Sequence, residues 1–309
     1  MSPNAVAMAA PFRWLAKAFD VGRRNPKALF GAIALALAVV FAISVLQMIL
    51  QAAAQGAGAG TGVAVVMAVT TVISWLVMPP LFGGLFRVLD ATDRGRPVVA
   101  TDVFNAFARG QGGKRLVLTN LVYSLAYLAF LALMLATSLG QFLREYFAIA
   151  LAVPPGGQPD QAALLALIQS TSPTAFLWLP VAVLVIGAWM HASMLALATA
   201  ALREASVAEC VVAGLLAVAR NVLPLLGISL AVLAGGFVLG LLLVLVLALL
   251  VGLLSLLSPV LGVVVMLPLM AALMLAMYAL MFGFYYHGWR EIFGGAGGVA
   301  PATPGELAA

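Results

Sequence analysis

Six stretches of this chain, at about 28–50, 62–86, 116–140, 174–201, 222–250 and 259–286, contain no Asp, Glu, Lys or Arg. A helix needs roughly 20 apolar residues to cross a hydrocarbon core about 30 Å thick, and each stretch is long enough. A charge at the centre of such a helix costs about 2.5–3.5 kcal/mol on insertion scales, which accounts for the exclusion. The rest of the chain agrees. Of 309 residues, 65% are hydrophobic and 8% charged, against about 25% charged in an ordinary soluble domain. So few charges leave no polar coat for a water-facing surface. The expected fold is all-α: a polytopic membrane helix bundle of six transmembrane helices with interfacial amphipathic helices.

The basic residues orient that bundle. Arg13, Lys17, Arg23, Arg24 and Lys27 precede the first span, and six more lie between the second and third, Arg87 to Arg115. Arg203 and Arg220 lie between the fourth and fifth, and Arg290 follows the sixth. The alternate connections, 51–61, 141–173 and 251–258, hold only Arg144. A Lys and Arg excess in short loops marks the cytoplasmic side. Both termini are therefore expected in the cytoplasm, and a bacterial inner membrane is the expected location. Three regions follow: a cytoplasmic amphipathic segment over 1–27, the six-span domain over 28–290, and a disordered cytoplasmic tail over 291–309. The first apolar run, about 23 residues, is too long for a signal-peptide core of 7–15, so it reads as a retained span. The net charge of +5 points to anionic lipid headgroups as partners, at about 1 kcal/mol per basic residue near the surface. Nucleic acid is not an expected partner, and any protein partner is unspecified.

Short amphipathic stretches lead into the odd-numbered spans. In the first, Phe12, Leu15 and Phe19 share one helical face while Arg13, Lys17, Asp20 and Arg24 share another, with Trp14 expected at headgroup depth. The second starts at Thr101, read as the N-cap, with Phe104 and Phe107 as its apolar face. The third starts with Ser206 and Glu209, spaced as a capping box. Arg24-Asn25 and Arg220-Asn221 stand at the first and fifth spans, with Gly31 and Gly227 six residues after each Asn; Lys114-Arg115 stands at the third. This pattern suggests three parallel repeats about an axis along the membrane normal; a generic basic helix entering a span would look similar.

Proline and glycine mark the rest. Pro79-Pro80 is expected to kink the second span. Pro154-Pro155-Gly156-Gly157 breaks the long outer connection, after which Asp160 caps a short helix with Leu164, Leu167 and Ile168 on one face. Gly56 to Gly60 reads as a flexible turn, and Gly236 and Gly240 as a small-residue pair for close helix approach.

Chemistry-bearing patterns are scarce. Gly110-Gln111-Gly112-Gly113-Lys114-Arg115 lacks the glycine spacing and the hydroxyl of a nucleotide-binding loop. Cys210 is the sole cysteine, so no intrachain disulfide forms, and no metal or other cofactor is expected. His191, inside the fourth span, is the one candidate intramembrane polar group, with Asn120 and Ser124 as candidate partners. It reads as a proton relay or polar ligand, or as a neutral histidine bonded to a neighbouring helix. His287 sits among Tyr285, Tyr286 and Trp289 and reads as part of an aromatic belt. Asp90, Asp93 and Asp102 alternate with Arg87, Arg94 and Arg96, the pattern of a solvated loop held by ion pairs. No catalytic residues are identified, and the chain is not expected to be an enzyme. Arg13, Trp14, Lys17, Arg23, Arg24, Phe104, Phe107, Lys114 and Arg115 are the candidate membrane-interface contacts.

Several motifs occur together: Pro80 to Leu85, Arg94-Gly95-Arg96-Pro97, Asp102 to Phe107, Trp14 to Pro26, and Ala219-Arg220-Asn221. In these the chain resembles a group of six-span proteobacterial inner-membrane proteins. That group is similar to the membrane domain attached to some glycerophosphoryl diester phosphodiesterases. The resemblance covers about residues 10–290 and implies a fold and an inner membrane. No phosphodiesterase domain is present, so it implies no catalytic residue. The expected function is a lipid- or envelope-associated scaffold or lipid-accommodating role; the alternative is a small transporter or channel for a neutral or hydrophobic solute, using His191.

Overall fold

The computed structural model describes residues 2–56, 60–151, 158 and 160–294. Among them the fold is all-α, without a strand. In chain order the elements are α1 (Ala10–Ala18), α2 (Pro26–Gly56), α3 (Gly60–Asp93), the 3-10 helix η1 (Ala100–Phe107) and α4 (Gly113–Leu135). Then come α5 (Ser138–Leu151), α6 (Gln161–Ser170), α7 (Pro173–Leu202), α8 (Val207–Arg220), α9 (Val222–Leu257) and α10 (Pro259–Phe293). Helices α2, α3, α4, α7, α9 and α10 are long and apolar enough to cross a membrane. The protein is a multi-pass integral membrane protein.

The helix ends show where side chains override apolar runs. α4 stops at Leu135, not near 140. Thr137 Oγ1 donates to the Met134 carbonyl at 2.6 Å, and Arg144 donates to the Leu135 carbonyl. These donors satisfy last-turn carbonyls that have no intrahelical partner, and the chain restarts as α5. Asp160 caps α6 as expected, accepting the Ala162 and Ala163 N–H groups at 2.9 and 3.1 Å. α3 runs as one helix through Pro79 and Pro80 to Asp93, so Arg87 and Asp90 are helical, not in a loop. α10 extends to Phe293, so residues 291–293 belong to it and not to a tail. The Pro154–Gly157 break, residues 57–59 of the first outer turn, and the tail from 295 lie outside the described residues.

The chain forms two compact units, one within 1–120 and 191–309 and the other within 121–190. In the smaller unit, Trp189 Nε1 donates to the Tyr123 carbonyl at 2.9 Å and its ring stacks on Tyr127 at 4.6 Å. Phe142 packs against Phe176 there at 5.8 Å.

In the larger unit the short helices pack on the feet of the spans. Trp14 of α1 is 1% exposed and meets Phe284 of α10 edge-on at 5.6 Å. Its indole lies over Gly288, where an added Cβ would stand 2.9 Å from the ring. Val103 and Ala106 of η1 are buried. Gly84 of α3 admits the Val103 carbonyl so closely that a Cβ there would overlap it. At the expected pair Gly236 and Gly240, nothing among the described residues lies within 4 Å of a Cβ built at either.

Candidate functional site: the foot of the spans

The larger unit has three basic residues in matching positions. Arg24, at the foot of α2, donates to the Asp93 carbonyl that ends α3. Arg115, in the first turn of α4, donates to the Ala200 carbonyl near the end of α7 at 2.7 and 3.1 Å, and to the Ala205 carbonyl at 3.2 Å. Arg220, ending α8 before α9, donates to the Pro3 carbonyl at 2.7 Å. Asp93, Ala200 and Pro3 each stand seven residues before the first residue of the next short helix: Ala100 of η1, Val207 of α8 and Ala10 of α1. Each foot thus holds the backbone that enters the following short helix, and the third foot returns to the first.

The asparagines support this geometry. Asn25 Nδ2 donates to the Val98 carbonyl at 3.1 Å, while its Oδ1 accepts the Ala28 N–H of α2. Asn221 is fully buried; its Nδ2 donates to the Asn4 carbonyl at 3.0 Å and its Oδ1 accepts the Val6 N–H at 2.7 Å. The Asn4 N–H in turn donates to the Ile292 carbonyl at 2.8 Å, so the N-terminal segment leads on from the end of α10. Arginine suits the task because a helix C-terminus presents unpaired carbonyls and the negative end of the dipole. Arg87 donates likewise to the Ala201 carbonyl and Arg203 to the Phe293 carbonyl, at 3.0 and 2.7 Å.

The expected interface set is therefore divided. Lys17, Arg23, Phe104, Phe107 and Lys114 are exposed. Trp14 is not at headgroup depth: it is buried, and its Nε1 donates to Glu291 at 2.8 Å. Arg13 pairs with Glu291 at 3.0 Å, and Arg24 and Arg115 bind protein carbonyls. On α1 the side chains facing α10 are small residues and Trp14, while Phe12 and Phe19 are exposed. Thr101 is not the cap of η1; Asp102 accepts the Val99 N–H at 2.9 Å, starting the helix two residues earlier. The Ser206–Glu209 box forms as expected, the Ser206 N–H donating to Glu209 at 2.7 Å. Those hydrogen bonds hold the Glu209 carboxyl below the usual carboxylate range. The Cys210 thiol is buried, which pushes its pKa up.

The acidic residues at the end of α3 form a packed cluster instead of a solvated loop. Asp90 is 6% exposed. It accepts from Arg94 at 2.9 Å, from Arg96, and from the Tyr286 hydroxyl at 3.1 Å. Asp90 also holds the Arg94 guanidinium above its usual value. Asp93 pairs with Arg290. Tyr285, Tyr286 and Trp289 are buried, so this aromatic group is part of the core of the foot and not a lipid-facing belt.

His191 bridges three spans. Its Nε2 lies 2.8 Å from Ser229 Oγ of α9, and its Nδ1 lies 3.1 Å from the Tyr285 hydroxyl of α10. Ser229 Oγ donates its one proton to the Leu225 carbonyl at 2.8 Å, so toward His191 it accepts. Nε2 then carries the imidazole proton and Nδ1 accepts from Tyr285, which satisfies a neutral ring at both nitrogens. The sequence named Asn120 and Ser124 as candidates; each has interactions of its own. It missed Ser229 and Tyr285, which no local spacing links to residue 191.

Together these features define an all-helical, six-span membrane protein in whose larger unit α1, η1 and α8 gather with the arginine contacts at the feet of the spans. Compared with protein-family models, curated proteins and solved structures, the chain matches none.

Proposed function

We propose that this protein is a lipid-accommodating scaffold of a bacterial inner membrane. The feet of its three span pairs, all within the larger unit, act as parallel units linked in a ring, with both termini cytoplasmic. The observation that carries the reading is the double face of the short helices. α1, η1 and α8 bury Trp14 and mostly small residues against the spans, while they and the turn after α1 expose Phe12, Phe19, Phe104, Phe107, Val212 and Leu215. Apolar side chains presented beside basic ones are how a helix lies in the headgroup layer. The seven-residue correspondence of Asp93, Ala200 and Pro3 supports the three-unit reading, and the concentration of Lys and Arg at this end supports its cytoplasmic side. The transport alternative gains little from His191, which is 5% exposed and paired as a neutral ring.

The test is depth-dependent quenching. Single cysteines at Phe12, Phe104 and Leu215 would carry a fluorophore in reconstituted bilayers, with Cys210 replaced by Ala. Quenching by headgroup-level spin-labelled lipid at all three positions is expected. Labels reached only by an aqueous quencher would overturn the reading and favour a protein partner on that surface.

A further inference from the structure

Beside the foot of α2 is an open cleft of about 650 Å³, walled by the end of α1, the α1–α2 turn and the ends of α3 and α10. Lys17, Arg23, Arg24, Thr92, His287 and Arg290 line it. Its size falls within the range of ligand clefts, about 300–1,000 Å³. Its carboxylates are already matched. Asp93 pairs with Arg290, Glu291 with Arg13 from outside the cleft, and Asp20 with Arg23 in an exposed pair at 3.1 Å. Set aside those pairs and Lys17 remains as surplus charge, with Arg24 only partly engaged. The Lys17 ammonium has no hydrogen bond or ion pair among the described residues, and Arg24 uses only Nη1, toward the Asp93 carbonyl.

A second observation is independent of charge. Thr92 is 3% exposed, and its Oγ1 has no hydrogen-bond partner among the described residues. A threonine in a helix ordinarily satisfies its hydroxyl on a carbonyl of the preceding turn, and leaving it unpaired costs roughly 1–3 kcal/mol. Thr92 is among the residues lining the cleft, so an oxyanion held there by the cations would offer this enclosed hydroxyl the acceptor it lacks once the side chain turns toward it. The corresponding cleft beside the foot of α4, about 550 Å³, is lined by Arg87, Arg115 and Arg203. There each arginine donates to a backbone carbonyl. Its lining also includes Glu204 and Glu209 and no lysine, so what distinguishes the first cleft is the unpaired Lys17 ammonium.

We infer that the cleft beside α2 binds a phosphate-bearing anion, with Lys17 and Arg24 as its cations and the Thr92 hydroxyl as a donor. The source of the phosphate is a phospholipid headgroup or a soluble phosphate ester. The inference deepens the lipid-accommodating reading and rests on it only for the lipid source.

The experiment uses the full chain in mixed phosphatidylcholine and phosphatidylglycerol bilayers, read by native mass spectrometry of the released protein. One phosphatidylglycerol retained above its statistical share is expected. Lys17→Gln and Thr92→Val should each weaken that binding by about ten- to a hundredfold, the loss of one hydrogen bond to a charged group. Arg109→Gln, at an exposed basic residue outside both clefts, should not. Thr92→Val should also raise the melting temperature of the lipid-free protein, because it removes a buried unpaired hydroxyl. In detergent without lipid, thermal stabilisation by inorganic phosphate or glycerol 3-phosphate that disappears in Lys17→Gln assigns the site to a soluble ester. Stabilisation by phosphatidylglycerol alone assigns it to a headgroup. Absent lipid retention together with no stabilisation by phosphate or glycerol 3-phosphate overturns the site, as does retention unchanged by both Lys17→Gln and Thr92→Val. The quenching at Phe12, Phe104 and Leu215 does not depend on this cleft, so that reading fails or stands separately.

Discussion

The two ends of α10 are built on different principles. Over residues 279–293, Phe282, Tyr285, Tyr286, Trp289 and Ile292 are buried, and their polar atoms reach named partners such as Asp90 and Thr199. Over 260–277, Val260, Val264, Leu267, Met274 and Met277 are exposed. α9 repeats the contrast: Leu225 and Ile228 are buried, whereas Phe237 is 73% exposed. In lipid, burying an aliphatic side chain against another helix gains little, because the hydrocarbon is as apolar as the helix. The outer halves therefore need only be greasy and helical. The feet lie where water returns, and they are held by ring packing, close backbone approach and arginines on carbonyls.

That contrast breaks most severely at the closure. Deleting residues 2–9 should cost about 4–6 kcal/mol, because it removes partners of Arg220, buried Asn221 and the Ile292 carbonyl, each worth roughly 1–3 kcal/mol. Unfolding followed in nanodiscs would show it; an unchanged midpoint would mean that the ring is not closed through the N-terminus. Trp14→Ala should cost about 3–5 kcal/mol by the same measurement, as for other buried aromatics. Asp90→Asn should cost about 2 kcal/mol, less than a fully buried pair, since Arg94 and Arg96 are each about half exposed.

Acid sharpens the comparison at α8. The folded pKa of Glu209 lies below its unfolded value, so its capping contribution is complete above the ordinary glutamate range. It is lost as pH falls through the folded value. Amide exchange at Ser206 and Glu209, normalised to Glu209→Gln, should converge with that variant at low pH; parallel curves would dismiss the carboxylate's role. At the other extreme, Phe237→Ala should shift the midpoint by less than about 0.5 kcal/mol. A larger loss would place a packed partner on the outer half of α9.

Much of the foot was legible in pieces. Ser206–Glu209 and Asp160 were read correctly because a cap depends on side chains three or fewer residues away. Arg24-Asn25, Lys114-Arg115 and Arg220-Asn221 were noticed as marks at span starts. Their acceptors, on Asp93, Ala200 and Pro3, lie 69, 85 and 217 residues away in sequence, and no local pattern names a carbonyl. Trp14 was misplaced for a related reason. Amphipathic periodicity finds an apolar face, but it does not say whether Phe12 and Phe19 or the smaller Trp14 face meets protein.

The sequence by itself determined that there are six spans and where basic residues gather, because hydrocarbon excludes charge one residue at a time. It also determined the caps at Asp160 and Ser206, though not the start of η1, which Asp102 sets two residues before Thr101. Only the tertiary structure decided which arginines face protein carbonyls and which cations stay free, that the N-terminus continues from α10, and that His191 is satisfied by Ser229 and Tyr285. Those outcomes depend on groups brought within about 3 Å by packing, and hydrogen bonds are specific at that distance and absent beyond it.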